Sequence, residues 1–527
     1  MQFKKLSVAV AIACAGLAGL AGQALAAPLT PAQITTLNNA NDVAHAGADP
    51  RIIFVSGASA VQKGFTSIIS ALIPGTKTYF ADKNGNDAQG KANTHSYEAV
   101  AGTLAAGNGP WSNTDVILIY RVAGGSVWGV NPVARGEIIE SLNVTAGTCS
   151  DGGQDGGVGE VNANGSAPNA LAFKCSTNTR VPDFGVSDVA PILFKQPFNT
   201  EGETPMAQLN DNDLLQFAPR EEDAYAYNGA IYSLAFGVPT TNNVNIALNR
   251  SVVAGIMSGQ VGTWDQVDSS LAADDIVICR RVPGSGTQAV ENMYFGNFPC
   301  GPFNTPANRD DTSAFNPSTA WTWVDANGKS HSGTGKYTIG ANTGGLQVVE
   351  NSSSGNVTEC LDAARNGGTY VTKTRDGSAA EYLVEFTGEH KAIGVLSMDS
   401  LSKSLTGGNW QFRSMDGNGT YTGNSMSAPA SVGTGTFPTL ANLMNGSWDN
   451  QGWISINVPI RTRDDANKEP IVRQFITKAK DPAILAAITD LKNVAAAIPG
   501  GDYPAGPSVL RVAYPEGNQC APLNRQY

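Results

Sequence analysis

The chain has 527 residues, with 34 Lys and Arg set against 45 Asp and Glu, for a formal net charge of −11. That acidic balance excludes nucleic acid and anionic membrane as electrostatic partners, while a small anion held by local neutral donors stays open. After residue 26 no stretch is long and apolar enough to span a bilayer.

Lys4 and Lys5 precede an apolar run from Leu6 to about Leu20, and Ala24-Leu25-Ala26 precedes Ala27-Pro28. Residues 1–26 therefore read as a secretory signal peptide cut after Ala26, which implies a periplasmic or secreted protein. Ala11-Ile12-Ala13 before Cys14 is a poor lipid-attachment signal, which favours soluble export. Cleavage leaves a net charge of −13 and six cysteines. An even number in an exported chain reads as three disulfides. Short loops favour Cys149–Cys175 and Cys279–Cys300, which leaves Cys360–Cys520. No CxxC pair occurs, against zinc or thiol-redox chemistry.

Arg51 to Val55 is an apolar, β-branched run followed at once by Ser56-Gly57-Ala58-Ser59-Ala60 and then by helical spacing of Val61, Phe65, Ile68, Ile69 and Leu72. A small-residue loop that feeds a helix start presents unpaired N–H groups to an anion; it is equally the form of a plain turn with Ser59 as helix cap. Asp115 to Tyr120 repeats the pattern, running through Gly124-Gly125-Ser126 into a helix expected over Pro132 to Leu142. Repeated strand–turn–helix units indicate an α/β body with mixed, mostly parallel sheets. Residues 143–175 and 301–345 read as Gly/Asn-rich insertions, the second with Trp321 and Trp323 on a strand pair. Pro182 to Pro191 carries Asp188 just after a strand start. Ile231 to Phe236 reads as a strand crossing into a second lobe. Ile278 to Val290 then gives the third loop of this kind: a strand, two arginines, a Pro-Gly turn, and Ser285-Gly286-Thr287 at a helix start. Lys391 to Leu396 reads as the strand that returns to the first lobe. Past it come a strand over Trp453 to Pro459 and helices over Pro470 to Lys478 and Pro482 to Ile498.

With these stretches assembled, the chain resembles the PstS-like periplasmic phosphate-binding proteins, two-lobed type II binding proteins of the Venus-flytrap class. Ser56 to Gln62 and Tyr120 to Gly129 resemble the family's two glycine-serine phosphate loops. Phe184-Gly185-Val186-Ser187-Asp188 is similar to its Phe-Gly-Ala-Ser-Asp, and Arg281 to Thr287 to its Arg-Ser-Asp-Gly-Ser-Gly-Thr. Ile256 to Asp265 and Ala392 to Val395 match two further family stretches, in the same order. The resemblance implies that Ser59, the N–H groups of Ala60 and Val61, Ser126 and Asp188 contact the anion from one lobe, with Arg281, Ser285, Gly286 and Thr287 from the other. Asp188 would accept the proton that hydrogen phosphate still carries and sulfate lacks, and Arg281 would supply charge-assisted bonds. Ala60 stands where relatives carry a hydroxyl, and Val282-Pro283 replace Ser-Asp.

The expected division is 27–225 with 395–527 as lobe one and 226–394 as lobe two, in a monomer that serves an ABC-type permease, needs no cofactor and catalyses nothing. Two other readings compete. A secreted phosphatase would need a catalytic constellation, yet His45, His95, His331 and His390 sit in polar or loop contexts without metal-ligand spacing. A surface interaction protein that kept the fold and lost the ligand would put the Gly/Asn-rich insertions to use.

Overall fold

The computed structural model describes residues 52–59, 62–75, 77–82, 97–144, 149–151, 171–195, 199–200, 208–217, 229–301, 315–324, 330–340, 345–373, 380–422, 430–499, 506–515 and 518–525. The expected signal peptide, Ala60, Val61 and the Gly/Asn-rich stretch 152–170 lie outside them.

Strand β1 (Ile52–Gly57) is buried along its whole length. Apolar on both faces, it suits the middle of a parallel sheet covered on two sides. Helix α1 (Gln62–Leu72) follows and lays Phe65, Ile68, Ile69 and Leu72 on that sheet. β2 (Asp115–Arg121) and β3 (Phe184–Ser187) flank β1, both parallel to it. Phe65 stacks on Tyr120 of β2 with ring centroids 4.2 Å apart, which fixes α1 over the strand.

The twelve-residue strand β4 (Ala230–Thr241) leads into a second α/β unit. There β5 (Val277–Arg281) feeds helix α2 (Gly286–Gly296), and β6 (Gln347–Asn351) feeds helix α3 (Ser354–Asn366). β6 and the short β7 (Ala392–Gly394) lie parallel to β5 on either side. β8 (Trp410–Arg413) follows, then β9 (Gln451–Asn457). The first half of β4 pairs with β9, and β9 with β3, all within the first sheet. Its second half pairs with β7 and β8 in the second. One long strand thus belongs to both sheets, and the architecture is mixed α/β with two sheet-centred lobes, as expected.

Several details differ from expectation. β8 and the strands Gly419–Thr422 and Ala430–Gly433 extend the second sheet, so the chain returns to the first between Gly433 and Gln451, not near 395. The reason is the pairing of Val238 to Thr241 with Arg413 to Trp410: the free side of β4's second half takes these strands before the chain leaves. The helix expected over 132–142 is a short turn, Asn131–Arg135, ended by Gly136 at φ 66° and followed by the strand Ile139–Leu142. Likewise Pro482–Ala487 is helical, but Ala495–Ala497 is a strand on β4. The 301–345 insertion contributes two strands, Phe315–Val324 and Ser330–Ile339, to a separate four-stranded sheet, with Trp321 and Trp323 on the first of them.

The disulfides are Cys149–Cys175, Cys279–Cys360 and Cys300–Cys520. The first joins residues directly opposed across an antiparallel pair, as expected. The expected Cys279–Cys300 and Cys360–Cys520 are not formed. Cys279 sits inside β5, buried beneath α3, which carries Cys360. Helix α2 meanwhile carries the chain about 16 Å along its axis before Cys300, so short separation in sequence is not closeness in space.

Candidate functional site

Two of the three glycine-serine loops and Asp188 converge where the carboxyl ends of β2 and β3 meet the start of α2. Gly124 and Gly125 both have positive φ, 84° and 85°, and turn the chain after β2 so that Ser126 points inward, fully buried. The Ser126 hydroxyl oxygen accepts from the Asp188 N–H at 3.1 Å. Across the cleft the Gly284 carbonyl accepts from the Val127 N–H at 2.9 Å, a backbone bond between the two units.

Helix α2 begins at this junction. Ser285 is its N-cap, its hydroxyl accepting from the Gln288 N–H at 3.4 Å. The first N–H groups of a helix have no intrahelical acceptor and carry the positive end of the dipole. Gly286 lies against Ser126 and Asp188: a Cβ there would sit 2.3 Å from Ser126 Oγ and 2.6 Å from Asp188 Cβ. Only glycine allows that approach. Thr287 donates its hydroxyl to Asp188 Oδ2 at 3.4 Å.

Asp188 is 3% exposed, and its Oδ1 has no hydrogen-bond partner among the described residues. Burial raises its carboxyl to about 7; the Arg281 guanidinium opposes that rise and Asp399 adds to it. A buried acceptor without a donor is costly, which is one reason the carboxyl holds its proton to a higher pH.

Arg281 is 2% exposed at the end of β5. Its guanidinium donates to the Asn351 carbonyl (3.3 Å), the Ser354 hydroxyl (3.0 Å) and the Ser352 carbonyl (3.0 Å). One terminal nitrogen reaches to within 3.6 Å of the Cβ position of Gly125 in the other unit. Seven of the nine expected residues can therefore be placed. Ser126, Asp188, Arg281, Ser285, Gly286 and Thr287 come together. Ser59, half-buried, follows β1, where the Ala58 N–H donates to the Val186 carbonyl and the Ala58 carbonyl accepts from Tyr120. Ala60 and Val61 lie outside the described residues.

Sequence reasoning missed Asn199, Ser352 and Ser354. Asn199 is buried; its carbonyl accepts from the Gly284 N–H at 2.6 Å and its side-chain oxygen from Asn292 at 3.0 Å. No motif flags it. The run Asn351-Ser352-Ser353-Ser354 before a helix was a legible signal, since serine there marks a cap; Ser353 is the cap and Ser354 serves the arginine. Among the described residues no cluster of His, Cys, Asp and Glu could hold a metal ion, and no helix is long and apolar enough to cross a membrane.

No protein-family model and no curated protein matches the chain. Similar solved structures include a phosphate-binding protein from Stenotrophomonas maltophilia, 12% identical, with a TM-score of 0.36 and coverage of 84% of this chain and 90% of that one. PstS from Borrelia burgdorferi is likewise 12% identical, with a TM-score of 0.32 and coverage of 84% and 98%. Likenesses at this level carry no argument about the ligand.

Proposed function

We propose that this is an exported solute-binding protein that captures a small oxyanion, phosphate in the first instance, between its two lobes and passes it to an ABC-type permease, acting as a monomer without bond-making. The observation that carries the reading is the unpartnered Oδ1 of Asp188, buried against the start of α2 and within the field of Arg281. An anion that brings both negative charge and a hydrogen satisfies both sides: helix N–H groups, hydroxyls and guanidinium take the charge, and Asp188 takes the hydrogen. Phosphate does this at neutral pH. Sulfate has no hydrogen to give, so it would require Asp188 to keep its own proton, which grows costlier as pH rises past about 7.

Titration calorimetry with phosphate and sulfate tests this. Arg281→Ala removes a charge-assisted partner from a dry site, a loss of roughly 2–5 kcal/mol, so phosphate should weaken by well over tenfold. Asp188→Asn offers a donor in place of an acceptor, so sulfate should gain relative to phosphate. A wild-type protein giving heat with neither anion, nor with a panel of other oxyanions, would overturn the reading.

A further inference from the structure

Helix α2 belongs to the second unit by chain order, yet it is fastened to the first along its whole length. At its start, the Val127 N–H reaches Gly284 and the Gly284 N–H reaches the Asn199 carbonyl. Midway, Asn292 donates to Asn199, whose own amide is tied back to the Leu193 carbonyl at 2.9 Å. Near its end, the Tyr294 hydroxyl donates to Asp449 at 2.5 Å, just before β9 of the first sheet. Beyond its last turn, Cys300 is bonded to Cys520.

Cys520 lies in a tail held on the first sheet. In that tail the Ser508 carbonyl accepts from the Ala497 N–H and the Leu510 N–H donates back to the Ala497 carbonyl, Tyr514 packs edge-on against Trp453 with centroids 5.0 Å apart, and the Ala190 N–H donates to Gln519 at 3.3 Å. Cys300 is anchored to α2, whose C-terminal turn is closed by the Phe298 N–H on the Asn292 carbonyl. The chain passes between the sheets along β4 and between Gly433 and Gln451; Cys300–Cys520 is a third covalent connection. Hydrogen bonds between lobes can break and reform with a ligand, but a disulfide cannot at that rate.

We propose that Asn199 and the Cys300–Cys520 bond form a built-in clasp that holds α2 against the first lobe with or without a ligand, so the site exists in a closed form and exchanges its ligand slowly. Asn199 is a positioning residue: it sets the Gly284 turn, and the turn aims the start of α2 at Asp188. The clasp is open to control, because Cys520 is exposed and Cys300 half-buried, whereas Cys279 and Cys360 are fully buried and the Cys149–Cys175 bond has one sulfur half-buried and the other fully buried. Mild reductant should therefore cut it first.

The test is hydrogen exchange on the anion-free full chain, read at the Val127 and Gly284 amides, which bond only across the junction. Cys300→Ser/Cys520→Ser should speed exchange at both by at least tenfold, and Asn199→Ala at Gly284, while amides within β2 and β5 keep their protection. If the double variant does not fold, mildly reduced and alkylated wild-type protein serves instead. Equal exchange with the bond intact or cut, or a rise spread over all amides, would overturn the proposal. A second arm rests on the phosphate reading: cutting the bond should raise the phosphate dissociation rate about tenfold. If phosphate does not bind at all, that reading fails while the exchange comparison still decides the clasp.

Discussion

Replacing Asp188 by Asn in the anion-free protein isolates what the site's carboxylate costs. Burial raises this carboxyl from 3.8 to about 7, with Arg281 offsetting only part of the effect. An acid whose pKa is higher in the folded state keeps a proton that the unfolded chain has already released. Its contribution to stability is therefore lost as pH rises from about 4 to about 7, and the loss stops once both states are ionised. The interval is roughly three pH units at about 1.4 kcal/mol each, or about 4 kcal/mol. Asn is neutral throughout, and its carbonyl can still accept from Thr287. Any offset from its buried amide is independent of pH. The stability of Asp188→Asn relative to wild type should therefore climb by about 4 kcal/mol between pH 4 and pH 8, read from urea unfolding in anion-free buffer. Glu291, also raised to about 7 by burial, titrates in both proteins and cancels. A difference that does not change with pH would refute the argument that this carboxylate is held in an unfavourable site.

Two other substitutions probe the packing around the proposed anion site. Gly286→Ala should lower phosphate affinity at least tenfold by calorimetry although alanine favours the helix, because its Cβ would lie 2.3 Å from Ser126 Oγ and must push α2 away. Ser354→Ala removes one of three described hydrogen bonds that aim Arg281, each worth about 1.5–3 kcal/mol to a charged group; phosphate affinity should fall about tenfold, and Ser354→Thr should restore it.

How much of this was legible beforehand follows from the range over which each feature is determined. β1, β2 and the start of α2 were legible because apolar runs ending in Gly-Ser turns are local signals. Ser126, Asp188, Arg281, Ser285, Gly286 and Thr287 lie together because strand–loop–helix units bring their loops to one end of a sheet. The return point of the chain was missed because it depends on which strand fills the free edge of β4, a long-range competition that Lys391 to Leu396 do not reveal. Two disulfides were mispaired for a similar reason: Cys279 and Cys360 meet because a helix packs on a strand, and loop length is blind to that. Asn199 was invisible, since its role comes from the backbone of a turn far away in sequence.

The two adjacent arginines show how fold converts an ambiguous sequence into a site. Arg280-Arg281 gives no local reason to prefer either. In a strand successive side chains point to opposite faces, so they cannot share a role. Arg280 turns to the side where Glu350 meets it at 2.6 Å and where Glu291 lies in its field, both carboxylates buried. Such a pair spends its charge internally. Arg281 turns the other way, toward Gly125, and its described hydrogen bonds run to two carbonyls and a hydroxyl. Those contacts hold the guanidinium at the junction, where its charge bears on the Asp188 carboxyl. A shift of register by one residue in β5 would exchange the two, turning Arg280 toward the cleft and breaking its pair with Glu350. The ladder of β5 with β6, in which Cys279 pairs with Val349 and Arg281 with Asn351, together with the Cys279–Cys360 bond to α3, fixes that register. The ladder and the buried disulfide together thus set which arginine faces Gly125 and Asp188.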